Sequence, residues 1–387
     1  MLRAPGFNEL SSLRESYASK RFASDILGLT IAPTIDCNLA CKYCYEDKRP
    51  GRMAPAIERQ LLDYVDSNLP GKRIFRVIWY GGEPLLCKDT IYRLSESFIS
   101  AARLQGIDYS AEMVTNGLLL DRQTVDNLKA LGSWRNFQIT LDGTAAHHDL
   151  KRPRKGGAST FQRIFENTRY ASIHLPVTLS MNVDRLNVSS CHDLLDLLNT
   201  EAVSVSRVRF CAIHPYGDGC RNINDTTDVS IMNNREFSKI EAELLAHASD
   251  LGIPVLDPMK KKVATTCQAV STHSVVVEPD GTLQRCWTEV GNAKTSIGIL
   301  GESIVINSDA SMRWLSFDPT RNDPCQSCEV LPTCFGGCPQ RHLDGRPMEM
   351  TCKSIRFDVL SRLRDEHLGT IRSSKPQRVI PIVPIQI

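Results

Sequence analysis

The 387 residues carry almost no excess of either charge: 46 Lys and Arg stand against 44 Asp and Glu, a net +2 at pH 7. So even a balance excludes the bulk basic field that nucleic acid or an anionic membrane surface would attract. No run of about 18 apolar residues occurs, so no transmembrane helix is expected. The stretch from Met1 to Ser24 mixes charged and apolar residues and lacks the apolar core of a secretory signal, which points to the cytoplasm. Apolar content of 42% and charged content of 23% are ordinary for a soluble globular chain. Cysteine is the residue in surplus. Fourteen Cys in such a chain read as metal ligands before they read as disulfides.

The length suits one large domain and a smaller one. Residues 1–27 read as a helical extension, with Leu10, Leu13 and Tyr17 at helical spacing. Strand-like runs follow at Leu29–Ala32, Ile74–Tyr80, Ala111–Val114, Phe137–Leu141, Val177–Val183 and Val203–Ile213. Helical patterns at about 55–69, 86–104, 121–131, 159–173, 190–200 and 234–250 follow them in turn. Six βα units in succession give an α/β fold with a parallel sheet. The pattern itself leaves an open doubly wound sheet and a partial barrel as alternatives.

Just past the first strand, Cys37, Cys41 and Cys44 are spaced C-x3-C-x2-C. Thiolates are soft ligands of iron–sulfur clusters, and a 4Fe–4S cube ordinarily takes four. Three would leave one iron open to a small molecule. A zinc knuckle would need a fourth Cys or His close by, and none occurs before Cys87. The spacing, with Tyr43 before the last Cys, resembles the signature of the radical S-adenosylmethionine (SAM) superfamily. The resemblance implies a partial (β/α)6 barrel and a cluster whose open iron binds SAM. It also implies reductive cleavage of SAM to a 5′-deoxyadenosyl radical.

The second strand ends in Gly81-Gly82-Glu83-Pro84, which resembles the family's GGEP motif and implies contacts to the methionyl amino group of SAM. By the same resemblance Asn116 and Thr140, at later strand ends, fall to the ribose, and Arg152 to the SAM carboxylate; Asn182 is a weaker candidate. His214, Tyr216 and Asp218 follow the sixth strand, near where a substrate would lie. Cys87 and Cys191 read as small buried hydrophobes, while Cys211 and Cys220 have no ligand spacing.

Past Pro258 the chain turns rich in cysteine. A turn at Pro279-Asp280-Gly281 joins strand-like Ser274–Val277 and Thr282–Gln284 as a hairpin. Cys267, Cys286, Cys325, Cys328, Cys334, Cys338 and Cys352 resemble the SPASM domain of radical SAM enzymes. The resemblance implies two auxiliary 4Fe–4S clusters, three clusters in all. Cys267, Cys286 and Cys338 would hold one, and Cys325, Cys328, Cys334 and Cys352 the other. The first lacks a fourth ligand, a place His273 could fill, although a hairpin His facing solvent is the other reading of that residue. The domains expected are an extension at 1–27, a barrel at 28–258, a SPASM region at 259–360 and a tail at 361–387. The tail ends in an apolar, proline-spaced stretch at 378–387, read as extended.

SPASM enzymes mostly modify peptides or proteins. Sulfatase-maturing relatives carry an Asp immediately after the second SPASM Cys, whereas here that residue is Trp287 and the next acid is Glu289. The expected activity is therefore an oxidoreductase that cross-links a ribosomally made precursor peptide, as a RiPP maturase does, through a three-residue cyclophane or a thioether. It would draw electrons from a flavodoxin or ferredoxin. Formylglycine formation is the alternative. A ferredoxin-type electron carrier is a second one, but it has no use for Gly81-Gly82-Glu83-Pro84.

Overall fold

A computed structural model describes residues 8–214, 230–257, 267–301 and 305–364. Six strands alternate with helices as the hydrophobic pattern requires: β1 (Ile26–Ile31), β2 (Ile74–Trp79), β3 (Asp108–Thr115), β4 (Trp134–Thr140), β5 (Val177–Val183) and β6 (Arg207–Ala212). They lie side by side, parallel and in chain order. A doubly wound sheet reverses its order at a switch point. Here the order never reverses, so every right-handed crossover steps the same way and the helices share one face. The sheet curls around the other face as a partial barrel.

The period-two alternation of each strand decides which side chains meet which face. Phe137 and Ile139 of β4, Leu179 and Met181 of β5, and Val208 of β6 are buried in the main core with the helices. The intervening Gln138, Thr140, Ser180, Asn182, Arg209 and Cys211 instead line a cavity inside the barrel.

The crossover helices are α2 (Pro55–Asn68), α3 (Lys88–Leu104), α4 (Arg122–Leu131), α5 (Ala145–Lys151), α6 (Phe161–His174) and α7 (Val188–Thr200), with α8 (Asn234–Asp250) after β6. Local chemistry fixes several starts. Pro55 opens α2, the Asp121 side chain caps α4 by accepting from the Thr124 N–H, and Asn233 with Glu236 forms a capping box on α8. The seven-residue α5 lies where the sequence shows only a strand-end turn and a basic loop; two helical turns are too short to reveal a period.

The expected hairpin is present as β7 (Ser274–Val277) and β8 (Thr282–Gln284). It is not a detached unit. β7 pairs parallel with β1 on the side opposite β2, and β8, β9 (Gly298–Ile299) and β10 (Val305–Ile306) extend the same sheet to ten strands. After α9 (Ser308–Leu315) come four short helices: α10 (Asp323–Gln326), α11 (Leu331–Cys334), α12 (Pro339–Leu343) and α13 (Met348–Thr351).

The N-terminal extension forms α1 (Glu9–Arg21), and it docks on the cysteine-rich region. The Tyr17 hydroxyl donates to the Phe317 carbonyl at 3.0 Å and its ring stacks on Phe335; Arg14 donates to the Thr320 carbonyl. Tyr216, Asp218, Cys220, the boundary near residue 258 and the tail from residue 365 lie outside the described residues. Among the described residues no helix is long and apolar enough to cross a membrane.

Candidate radical SAM site

The three-cysteine loop follows β1 and is gripped from two sides. On one side stands the Gly81-Gly82 turn after β2. A Cβ on Gly81, whose φ is +111°, would lie 2.2 Å from the Thr34 carbonyl oxygen, and one on Gly82 would lie 2.3 Å from that of Asp36. Only glycine admits so close an approach, and the Glu83 N–H then donates to Asp36 O at 2.9 Å. On the other side the loop meets residues 151–155. Ala40 N–H donates to Pro153 O at 2.8 Å, Lys42 N–H to Lys151 O at 2.9 Å, and Leu39 bridges antiparallel to Arg154.

Burial pushes the Cys37 thiol up to about 11 and the Cys44 thiol up to about 12. One ammonium senses the whole set. Burial works to lower the Lys48 pKa, but Cys44, Cys41 and Cys37 outweigh it and the net direction is upward. Among the described residues no three His, Cys, Asp or Glu groups converge tightly enough for a single metal ion. A cube differs from an ion here, because it takes its ligands at separated corners. Free thiols held together beside a cation are a soft donor set that fits an iron–sulfur cluster, and ligation would displace their protons.

The cavity beside the loop holds about 310 Å³. Cys37, Cys41, Tyr43, Cys44, Gly81, Gly82, Asn116, Thr140, Arg152, Asn182 and His214 all contribute to its wall. The Tyr43 hydroxyl donates to the Asp142 carboxylate and accepts from Arg152 Nη1 at 2.7 Å and Asn182 Nδ2 at 3.0 Å. Asp142 also accepts from the Asn182 N–H at 2.7 Å. Asp142, to which the sequence reading gave no role, therefore joins the strand ends β4 and β5 to the cysteine loop. Arg152 is 7% exposed, and its Nε has no partner among the described residues. Burial disfavours its charge, but Cys41, Tyr43 and Asp142 outweigh that, so its pKa rises and it remains a cation.

Glu83 has a structural role as well. It and Pro84 are absent from the cavity wall. Fully buried, the Glu83 carboxylate accepts from Leu85 N–H at 3.0 Å, Thr115 Oγ1 at 2.7 Å and Asn116 N–H at 2.8 Å, tying the end of β2 to the end of β3. Burial raises its pKa against those three bonds. Asn116 in turn donates from Nδ2 to Asn38 Oδ1 at 2.7 Å, inside the cysteine loop.

Glu46 and Arg209 line the wall with no sequence motif to mark them, and Trp287 and Cys211, noted in the sequence for other reasons, join them. Glu46 lines the cavity, and burial pushes its pKa up to about 7 against a hydrogen bond with Tyr80. Trp287 stacks on Tyr80 with ring centroids 5.2 Å apart. Cys211 Sγ accepts from Arg209 Nη2 at 2.9 Å. The signal for Arg209 and Cys211 was present in the alternation of β6, but a strand drawn from residue 203 blurred its start. Cys87 and Cys191 are buried, as expected of small hydrophobes. His273 lies near Arg76, Asp25, Lys72 and Arg285.

The other seven thiols form two neighbourhoods. Burial raises the Cys286 pKa, and Cys267 and Cys338 raise it further. Burial pushes Cys325 up to about 11, helped by Cys334, Cys352 and Cys328.

Residues 31–198 match the Radical SAM superfamily. This segment is a radical SAM domain. Among curated proteins it is 27% identical to a serine-type anaerobic sulfatase-maturating enzyme of Klebsiella aerogenes, over 85% of this chain and 84% of that protein. It is 24% identical to the subtilosin biosynthesis protein AlbA of Bacillus subtilis, over 89% of this chain and 73% of that one. Among solved structures, anSMEcpe with bound AdoMet covers 90% of this chain and 100% of its own at a TM-score of 0.68 and 16% identity. Streptococcus suis SuiB bound to precursor peptide SuiA covers 92% of this chain and 82% of its own at 0.60 and 16%. The radical SAM reading and the partial barrel therefore stand. Enzymes of this superfamily use a 4Fe–4S cluster and SAM.

Proposed function

We propose that the chain is a maturase that installs a cross-link, a cyclophane or a thioether, in a ribosomally made precursor peptide. One observation carries the choice of cross-link. The residue after Cys286 is Trp287, which lines the cavity and stacks on Tyr80, so no carboxylate stands at that point. The nearest acid in sequence, Glu289, is buried away from the cavity wall, with Oε1 3.7 Å from Arg313. The likeness to a bacteriocin biosynthesis protein supports a peptide substrate, as does the likeness to an enzyme solved with a precursor peptide.

In this reading Cys37, Cys41 and Cys44 hold the SAM-binding cluster, which when bound supplies the electron that cleaves SAM. Tyr43, Gly81, Gly82, Asn116, Thr140 and Arg152 form the SAM pocket around it, with the free Arg152 Nε facing the need for a carboxylate partner. Glu83 and Pro84 complete the turn that meets the methionyl amino group of SAM, and the Glu83 carboxylate also ties the ends of β2 and β3. Cys267, Cys286 and Cys338 hold one auxiliary cluster; Cys325, Cys328, Cys334 and Cys352 hold another. A flavodoxin or ferredoxin is the reductant.

A second reading, oxidation of Ser or Cys to formylglycine, is favoured by the 27% likeness to a sulfatase-maturating enzyme and by Glu46, a carboxylate that the wall does contain. Mass spectrometry separates the two. A precursor peptide encoded beside the gene should lose two hydrogen atoms per link, with no hydrazide-reactive aldehyde. An aldehyde trapped on a sulfatase peptide would overturn the cross-linking reading.

A further inference from the structure

The chain as a whole is almost neutral, but its charge is not evenly spread. Residues 36–49 and 151–155 carry seven Lys and Arg against three Asp and Glu. The fold lays these two segments together as a short ribbon. Ala40 and Lys42 N–H donate to the carbonyls of Pro153 and Lys151, and the Lys155 N–H donates to Asn38 O at 3.1 Å. Lys151 is buried against Asp184 and takes no part in the surface, and Arg49 turns to the Gly291 carbonyl. Among the acids, Asp36 meets the Lys155 ammonium at 2.6 Å and Glu46 lines the cavity. Asp47 is then left against the exposed cations Lys42 and Arg154.

The ribbon has two sides. Leu39, Cys41, Tyr43 and Arg152 line the barrel cavity. The alternate residues Ala40 and Lys42 do not line it and are exposed, as an extended segment with one face to the cavity requires. At half-buried Cys41 the cavity wall is therefore one extended segment thick. The inner side belongs to SAM and the substrate. A reductant that must come near the thiols without entering the cavity has the outer side, and that side is cationic.

We propose that the outer side of this ribbon, with Lys42, Arg154 and Lys155, is the docking face for an acidic one-electron carrier protein, a reduced flavodoxin. The inference rests on Cys37, Cys41 and Cys44 as ligands of the SAM-binding cluster and on a protein reductant. It does not depend on which bond the enzyme makes. The docked hydroquinone gives up one electron and is left as the semiquinone, and that electron reduces the cluster. Encounters between electron-transfer proteins bury little area, so a small charged face suffices, and opposite charge speeds the encounter.

The test uses the reconstituted full chain and a flavodoxin. Titration calorimetry should show oxidised flavodoxin binding the parent with an affinity that falls between about 0.01 and about 1 M salt, where the screening length shrinks from ~30 to ~3 Å. Lys42→Glu with Arg154→Glu should weaken binding about tenfold at low salt and match the parent at high salt. Lys42→Gln with Arg154→Gln should show a smaller change in the same direction. Lys155 is left intact because its partner Asp36 also accepts from the Cys37 N–H at 2.8 Å. Arg103→Glu with Lys129→Glu makes the same change of net charge on the exposed last turns of α3 and α4, at the far end of the barrel, and should bind as the parent does. With reduced flavodoxin as the sole donor, its KM should rise in the Lys42/Arg154 variants, while iron content and dithionite-driven release of 5′-deoxyadenosine hold. Binding equal to the parent in those variants, or equal weakening in the Arg103/Lys129 variant, overturns the proposal. Loss of iron in the Gln variant also overturns it, by giving these residues to the loop's own structure. A parent that binds no flavodoxin overturns the choice of reductant and this inference with it, leaving the cross-linking reading to its own test.

Discussion

Thiols are gathered in two regions of this chain, and the two gatherings are supported in opposite ways. Cys37, Cys41 and Cys44 sit in a loop pinned by strand ends. Backbone bonds reach it from Gly82, Glu83, Lys151, Pro153 and Lys155, and side-chain bonds from Asn116, Arg152 and Asn182. The parallel sheet beneath it would stand without iron. In the second gathering Cys267 and Cys286 flank the β7–β8 hairpin, but the other five thiols lie in or beside α10 to α13, helices of four or five residues each. Such helices are well below the length at which a helix holds itself in water. Their apolar support is slight, with Val330, Cys334 and Ile355 as one small cluster and Trp314, Phe317 and Phe335 within another. In the barrel the fold places the thiols. On the proposed cluster assignment, a bound cluster would help to make the fold of the C-terminal region, as in other small metal-stapled units.

The largest effect that would break this contrast lies in function. Cys325→Ala with Cys328→Ala should stop product formation while slow, uncoupled release of 5′-deoxyadenosine continues, because the barrel site is independent of those thiols. Loss of both activities together would show that the two regions are not separable. Next in size is the response to iron removal. Chelation should strip amide-exchange protection from residues 323–352 and leave β1 to β5 protected, a result read by hydrogen-exchange mass spectrometry. Equal loss in both would contradict the contrast.

A smaller effect sharpens the account of the barrel side. Glu83→Gln should weaken SAM binding while iron content holds, because the charge that its three donors face is lost. Because Glu83 accepts from Leu85, Thr115 and Asn116 and lies off the cavity wall, the loss should come through displacement of Asn116. Titration calorimetry with an unchanged SAM affinity would remove Glu83 from the site.

The smallest effect is one of pH. His148, fully buried, accepts from the Asp142 N–H through Nδ1 at 3.2 Å, and burial, followed by the Arg152 charge, holds its pKa well below the usual value. The unfolded chain binds a proton near pH 6.5 that the folded chain refuses, so stability should fall as pH drops below about 6.5. His148→Gln keeps an acceptor and cannot titrate, so its melting temperature should fall less steeply between pH 7 and 5. An identical slope would exclude His148 as a source.

The sequence made the barrel legible because each strand and helix carries its own period, and six repeats of the unit reinforce one another. The three-cysteine loop and Gly81-Gly82 were legible because ligand spacing is local. What remained hidden is tertiary. Asp142 gained its place only when β4 and β5 came together over Tyr43, and the strap that Glu83 makes to Asn116 appeared only once β3 closed beside it. The pairing of β7 with β1 was invisible for the same reason, since more than two hundred residues separate Gly28 from Ser274. His273 shows the limit of spacing: at a plausible distance in sequence from Cys267, it faces the far end of the barrel.

The most direct measurement is SAM turnover in the chain with Cys37, Cys41 and Cys44 changed to Ala. Anaerobically reconstituted wild-type protein should hold about twelve irons and release 5′-deoxyadenosine when SAM and a reductant are added; the triple variant should hold about eight and release none. Release of 5′-deoxyadenosine by the triple variant would contradict the assignment of the radical chemistry to this loop.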